Sequence, residues 1–170
     1  MRNFLFFFLL IITYNSIGKN YEFFNIKNQL ELINSDDSIP IIFVFANNPC
    51  CHDCFLKLNK YILGLKKNIQ LNFKVFLLLR NEESIVSRKL NKIYFTDYFN
   101  CDSVFFSPIN SANSTKSNNF IDYFLKYKIK TVPSLLIINK EKEYYIDYRQ
   151  MFHSDGILPN FEIILEKLTS

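Results

Sequence analysis

Tryptophan is absent from this chain of 170 residues, and glycine occurs only three times. Asn, Lys, Ile, Phe and Tyr are used heavily instead, a bias of the kind that nucleotide composition imposes, and no function is read from it. Positive charge is not concentrated anywhere. The formal net charge is +4 and no dense basic run occurs, which argues against nucleic acid as a partner. Lys57, Lys60, Lys66 and Lys67, with Asn59, read as the solvated face of a helix. A membrane-spanning helix needs roughly twenty apolar residues, and the run from Phe4 to Ile12 falls well short of that. No cysteine follows that run closely, so a lipoprotein is not indicated, and no internal repeat is visible.

The N-terminal pattern is that of a secretory signal. Met1-Arg2-Asn3 supplies a minimal positive start, Phe4 to Ile12 a continuous apolar stretch, and Ser16-Ile17-Gly18 small residues where a peptidase reads. Residues 1–18 are therefore expected to be a signal peptide and residues 19–170 a single domain, exported to a periplasmic or extracellular space, or membrane-anchored if the signal stays uncut. Export alters the meaning of the four cysteines, because disulfides persist outside the cytosol. Two structural staples are one arrangement. Three of the four, however, are Cys50, Cys51 and Cys54, a grouping better suited to a reactive site.

Those cysteines interrupt the most informative stretch, IIFVFANNPCCHDCFLKLNKYI, from Ile41 to Ile62. Ile41 to Ala46 is apolar without a break and mostly β-branched or aromatic, the pattern of a central parallel strand buried on both faces. After Asn47-Asn48-Pro49, the residues Phe55, Leu58 and Ile62 recur at helical spacing. The cysteines thus fall at a strand-to-helix junction. A thiol there meets unpaired backbone N–H groups and a partial positive charge that favour thiolate. Cys51 takes the first-turn position, and Cys54 returns to the same helix face three residues later.

The segment VFANNPCCHDC resembles the active-site segment of the thioredoxin superfamily, and a second landmark supports the likeness. Thr131-Val132-Pro133-Ser134, preceded by Tyr127-Lys128-Ile129-Lys130, is similar to the family's turn in which a cis-proline faces the Cys-x-x-Cys motif. The resemblance implies an α/β fold with a central mixed sheet flanked by helices. A helix and a strand inserted before the cis-proline helix make it similar to the exported TlpA-like branch. It also implies thiol:disulfide exchange without a cofactor. Cys51 would attack as thiolate, Cys54 would release the mixed disulfide, and Val132 and Pro133 would bind substrate backbone. Protonated His52 would favour a neighbouring thiolate and Asp53 would oppose it. The implied partners are thiols or disulfides of exported proteins, with a membrane protein that recycles the site.

Three departures stand out. Cys50 precedes the motif, no tryptophan flanks it, and Phe43 or Val44 occupies the strand position where thioredoxin itself keeps a buried acid. Cys50 also permits a Cys50-x-x-x-Cys54 reading, the spacing of Sco-type copper proteins, with His153 as the other available ligand. A copper chaperone or a non-catalytic thioredoxin-like binding module is the alternative function. Zinc fits poorly, because Cys50, Cys51, His52 and Cys54 cannot all face one tetrahedral ion at a helix start. Cys101, on an apolar strand, reads as a buried hydrophobe.

Elsewhere, Tyr21 to Ile26 is expected as a strand and Gln29 to Ile33 as a short helix, with Gly64 ending the helix after the cysteines. Leu71 to Leu79 is a second buried strand. Asn81 to Ser84 opens a helix whose apolar face is Ile85, Val86, Leu90 and Ile93. Cys101 to Phe106 reads as a strand, Ser107 to Asn119 as a long polar loop, and Phe120 to Tyr127 as a helix. Leu135 to Ile138 and Tyr144 to Tyr148 form a hairpin, and Asn160 to Leu168 closes the chain as a helix with Phe161, Ile164 and Leu168 inward.

Overall fold

The computed structural model describes residues 19–35, 39–47, 52–68, 71–80, 84–107, 129, 131–140, 142–152 and 161–170. The expected signal peptide, most of the polar loop, the helix expected at Phe120 to Tyr127, and Cys50, Cys51 and His153 lie outside them.

Seven strands form one curled mixed sheet in the order β2-β1-β5-β4-β3-β6-β7. The strands are β1 (Asn20–Phe24), β2 (Leu30–Asn34), β3 (Ile41–Asn47), β4 (Lys74–Arg80), β5 (Ser103–Phe106), β6 (Ser134–Asn139) and β7 (Lys142–Ile146). β3 is central, parallel to β4 and antiparallel to β6. Its unbroken apolar sequence has the expected cause: successive side chains alternate between two cores. Ile42, Val44 and Ala46 enter one cluster, and Ile41, Phe43 and Phe45 enter the other.

The first cluster is roofed by helices α1 (His52–Asn68), α2 (Ile85–Tyr98), α3 (Tyr148–Met151) and α4 (Glu162–Thr169). The steps from β3 to β4 and from β4 to β5 run in one direction across the sheet, so crossovers of one hand put α1 and α2 on the same face. Phe55, Leu58, Ile62 and Leu65 form the buried stripe of α1. Each fully buried aliphatic side chain among them contributes about 1.5–3 kcal/mol. The helix runs on through Gly64 to Asn68, contrary to the expected break, because Leu65 still has core to fill one residue later. Asn59 also departs from its expected place in solvent. It is buried, with its amide donating to the Tyr98 carbonyl and its Oδ1 accepting from the Asn100 N–H, which stitches α1 to the end of α2.

Among the described residues, a ribbon covers much of the opposite face. Gln29 to Ile33, expected as a helix, contributes instead to β2, which pairs with all five residues of β1. The cause is turn chemistry. Asn25 Oδ1 accepts from the N–H groups of Lys27 and Gln29, and Asn28 adopts positive φ, a conformation asparagine tolerates well. β1 touches β5 at a single register pair, Phe24 with Phe106, and then departs over the sheet. Phe23 lies 4.9 Å from Phe43 and 5.6 Å from Phe105, ring centre to ring centre, and Tyr21 lies 5.2 Å from Phe43. The Tyr21 hydroxyl then donates to Glu143 on β7 at 2.7 Å. Four strands separate β1 from β7 in the sheet order, about 24 Å at ordinary strand spacing, so only a ribbon laid across the face makes that bond.

α2 inverts its expected orientation. Val86, Leu90 and Ile93 are 67%, 65% and 62% exposed, while Arg88 is fully buried together with Phe95. The Arg88 guanidinium donates to the carbonyls of Asn25 and Ser107 and to Asn28 Oδ1, and lies 5.1 Å from the Phe106 ring centre. These partners bring the hairpin turn, α2 and the end of β5 together. Among the described residues no helix is long and apolar enough to cross a membrane.

Candidate functional site

The rim of the sheet at the C-terminal end of β3 collects the sequence-predicted residues that are described. His52 is the first residue of α1, so the helix begins one residue after Cys51. Asp53 is exposed in the first turn, and Cys54 is buried against the helix-side core. The reason is helical phase: Cys54 shares the inward stripe with Phe55, Leu58 and Ile62.

The second landmark reaches the same rim through strand register. Phe45 of β3 pairs with Ser134, the first residue of β6, which puts the preceding Thr131-Val132-Pro133 turn beside the end of β3. The Val132–Pro133 peptide bond is cis and Pro133 is buried, with Val132 half-buried. Ser134 Oγ donates to the Thr131 carbonyl, and the two hydroxyls of Thr131 and Ser134 lie 3.2 Å apart.

One residue missed by the sequence reading joins the two landmarks. Tyr148 was expected to end a β-strand, but β7 stops at Ile146 and Tyr148 opens α3. Its hydroxyl lies 3.8 Å from Cys54 Sγ, and its backbone N–H donates to Thr131 Oγ1 at 3.4 Å. The ring stacks on Phe152 with centres 5.0 Å apart. Asp147 accepts from the Gln150 N–H while the Gln150 side chain accepts from the Asp147 N–H, a capping box that fixes where α3 starts. The sequence carried that signal, an Asp followed three residues later by Gln.

Strand position β3 offers no acid here. Phe43 and Val44 are both fully buried, and Val44 lies on the same side of the sheet as Cys54. Cys101, expected buried on an apolar strand, instead lies two residues ahead of β5. It is half-buried against the helix-side core, and burial, reinforced by the neighbouring Asp102 charge, pushes its thiol up to about 11. Such a thiol is almost wholly protonated near neutrality and a poor nucleophile. Among the described residues no group of three or more His, Cys, Asp or Glu side chains could hold a metal ion. Of the copper ligands weighed above, Cys50 and His153 lie outside those residues.

No protein-family model matches the sequence, and no curated protein does. Solved structures do match in shape. The thioredoxin domain of a thiol-disulfide oxidoreductase from Bacteroides vulgatus superposes with a TM-score of 0.54 at 11% identity, over 89% of this chain and 95% of that one. Yeast Sco1 gives 0.56 at 11% identity, over 91% and 98%. BsSco, a member of the Sco family of cytochrome c oxidase assembly proteins, gives 0.58 at 13% identity, over 90% and 91%. At these identities the likeness concerns the path of the backbone, and on that ground this chain has the thioredoxin-like fold.

Proposed function

We propose that this chain is an exported thiol:disulfide oxidoreductase that exchanges disulfides with cysteines of other exported proteins. The observation that carries the reading is the meeting, at one rim, of buried Cys54 in the first turn of α1 with the Thr131–Ser134 turn, linked through Tyr148. The Cys51-His52-Asp53-Cys54 spacing and the likeness in fold to thiol-disulfide oxidoreductases support it.

In this mechanism the Cys51 thiolate attacks one sulfur of a client disulfide. The client S–S bond breaks, a Cys51–client disulfide forms, and the departing client sulfur takes a proton from water. Cys54 then loses its proton and attacks Cys51, which closes the Cys51–Cys54 disulfide and releases the second client thiol. Two electrons pass from the protein to the client, and the reverse sequence oxidises a client. His52 and Asp53 would tune the first thiolate in opposite senses, and the Val132–Pro133 turn would pair with client backbone. A signal in residues 1–18 and a membrane partner that recycles the pair belong to the same proposal.

The test is client trapping. Cys54→Ser should accumulate mixed disulfides with exported proteins, which reducing agent releases, and Cys51→Ser should abolish both trapping and insulin-disulfide reduction. Absence of trapped species would sink the reading. The likeness in fold to Sco proteins favours a second one, Cu(I) held by Cys50, Cys54 and His153. It predicts one copper bound per chain, lost in His153→Ala, and client trapping by neither cysteine variant.

A further inference from the structure

Cys54 poses a problem that its surroundings must solve. In the exchange reading, on which this inference rests, its sulfur carries negative charge at the moment it attacks the mixed disulfide. Among the described residues, that charge develops against hydrocarbon on the core side. Cys54 is 8% exposed and packs in the cluster of Val44, Phe55 and Leu58, and the β3 residues beside it are hydrocarbon where an acid would supply a proton acceptor. A thiolate formed there without a hydrogen-bond donor is strongly disfavoured.

The Tyr148 hydroxyl lies 3.8 Å from that sulfur. A phenol ordinarily titrates near 10, so near neutrality it keeps its proton and can donate to a thiolate, while it is too weak a base to collect the thiol proton. Its aim is not left to chance. The Tyr148 backbone is held by the capping box of α3 and by Thr131 Oγ1, and the ring is stacked on Phe152. The same residue therefore fixes the distance between Cys54 and the turn that precedes β6.

We propose that Tyr148 is a catalytic hydrogen-bond donor to Cys54, stabilising the thiolate that resolves the mixed disulfide in place of assistance from a strand carboxylate. In the step, the Cys54 proton leaves to water, and the phenol proton stays on Tyr148 while its hydrogen bond to sulfur shortens. Cys54 then displaces the client sulfur from Cys51. The Tyr148 hydroxyl is unchanged at the end.

The experiment follows an aromatic disulfide, 5,5′-dithiobis(2-nitrobenzoate), mixed rapidly with reduced protein in a Cys50→Ser background. Cys51 releases one equivalent of the coloured thiolate in the first phase, and Cys54 releases the second on closing the Cys51–Cys54 disulfide. Tyr148→Phe keeps the stacked ring and removes the hydroxyl alone. It should slow the second phase about tenfold at neutral pH, the size of one lost hydrogen bond to a charged atom. The rising limb of that phase should move to higher pH, and the first phase should keep its rate. A second phase with wild-type rate and pH profile in Tyr148→Phe overturns the inference and leaves the exchange reading standing. A first phase that survives in Cys51→Ser, or a second that survives in Cys54→Ser, overturns the exchange reading and this inference with it.

Discussion

α1 and α2 each follow a parallel strand and pack on the same face of the sheet, yet they treat their apolar residues in opposite ways. α1 buries the stripe that its sequence announces, Phe55, Leu58 and Ile62. α2 turns Val86, Leu90 and Ile93 to solvent and buries Arg88. The difference is one of available partners. α1 crosses a continuous apolar wall made by β3 and β4. α2 lies where the hairpin turn and the end of β5 present carbonyl oxygens, and a guanidinium with several donors in a fixed fork satisfies more of them than any aliphatic side chain could. Hydrophobic periodicity gives a helix its phase only where the facing surface is apolar.

Substitutions in the two helices sharpen that contrast. Leu58→Ala should destabilise the fold by about 2–5 kcal/mol in chemical denaturation, since it empties a fully enclosed site. Arg88→Met should cost about 2–3 kcal/mol, because the acceptors on Asn25, Asn28 and Ser107 lose their donor inside the protein. Arg88→Lys should recover little of it, as one ammonium cannot reach all three. Recovery of full stability by Arg88→Met would mean that the pocket is indifferent to charge. A smaller effect belongs to the hairpin. Burial alone would raise the Glu143 carboxyl, but hydrogen bonds from Lys19, Tyr21 and Tyr145, with the Lys19 charge, together hold it below its ordinary value of 4.5. With a folded value below the unfolded one, its contribution is present above pH 4.5 and is lost as the pH falls through the folded value. Glu143→Gln should therefore flatten the acid limb of stability, by well under about 1 kcal/mol for so open a pair. Leu90→Ser should change stability by no more than about 0.5 kcal/mol. A loss as large as that of Leu58→Ala would show that the outer stripe of α2 is covered in solution.

The central sheet was legible because its strands are buried on both sides, and a run such as Ile41 to Ala46 has no competing interpretation at that length. The rim was half legible. Cys54 was found from residue type and spacing, and the Thr131–Ser134 turn from its resemblance to the thioredoxin superfamily, but Tyr148 was lost in a tyrosine-rich stretch, KEYYIDYRQM, where aromatic alternation masked the helix cap at Asp147. β2 was misread because Leu30, Leu32 and Ile33 satisfy either period over so short a span, and the asparagine turn that settles the matter acts through its Asn25 side chain rather than through glycine. The inward arginine was hidden for a different reason. Its acceptors come from Asn25, Asn28 and Ser107, and no local pattern in α2 reports carbonyls contributed from such separations.

The ribbon of residues 20–34 leaves a ribosome before almost everything it eventually touches. Its own two strands can zip at once, but Phe43, Phe105 and Glu143 arrive roughly 20 to 120 positions later, and closing such long loops is slow relative to local pairing. We expect pulse-labelled hydrogen exchange during refolding to protect the amides of β3 and β4 ahead of those of β1. A segment made early would thus be the last to settle, and until it does Phe43 and Phe105 lack the aromatic cover that Tyr21 and Phe23 supply.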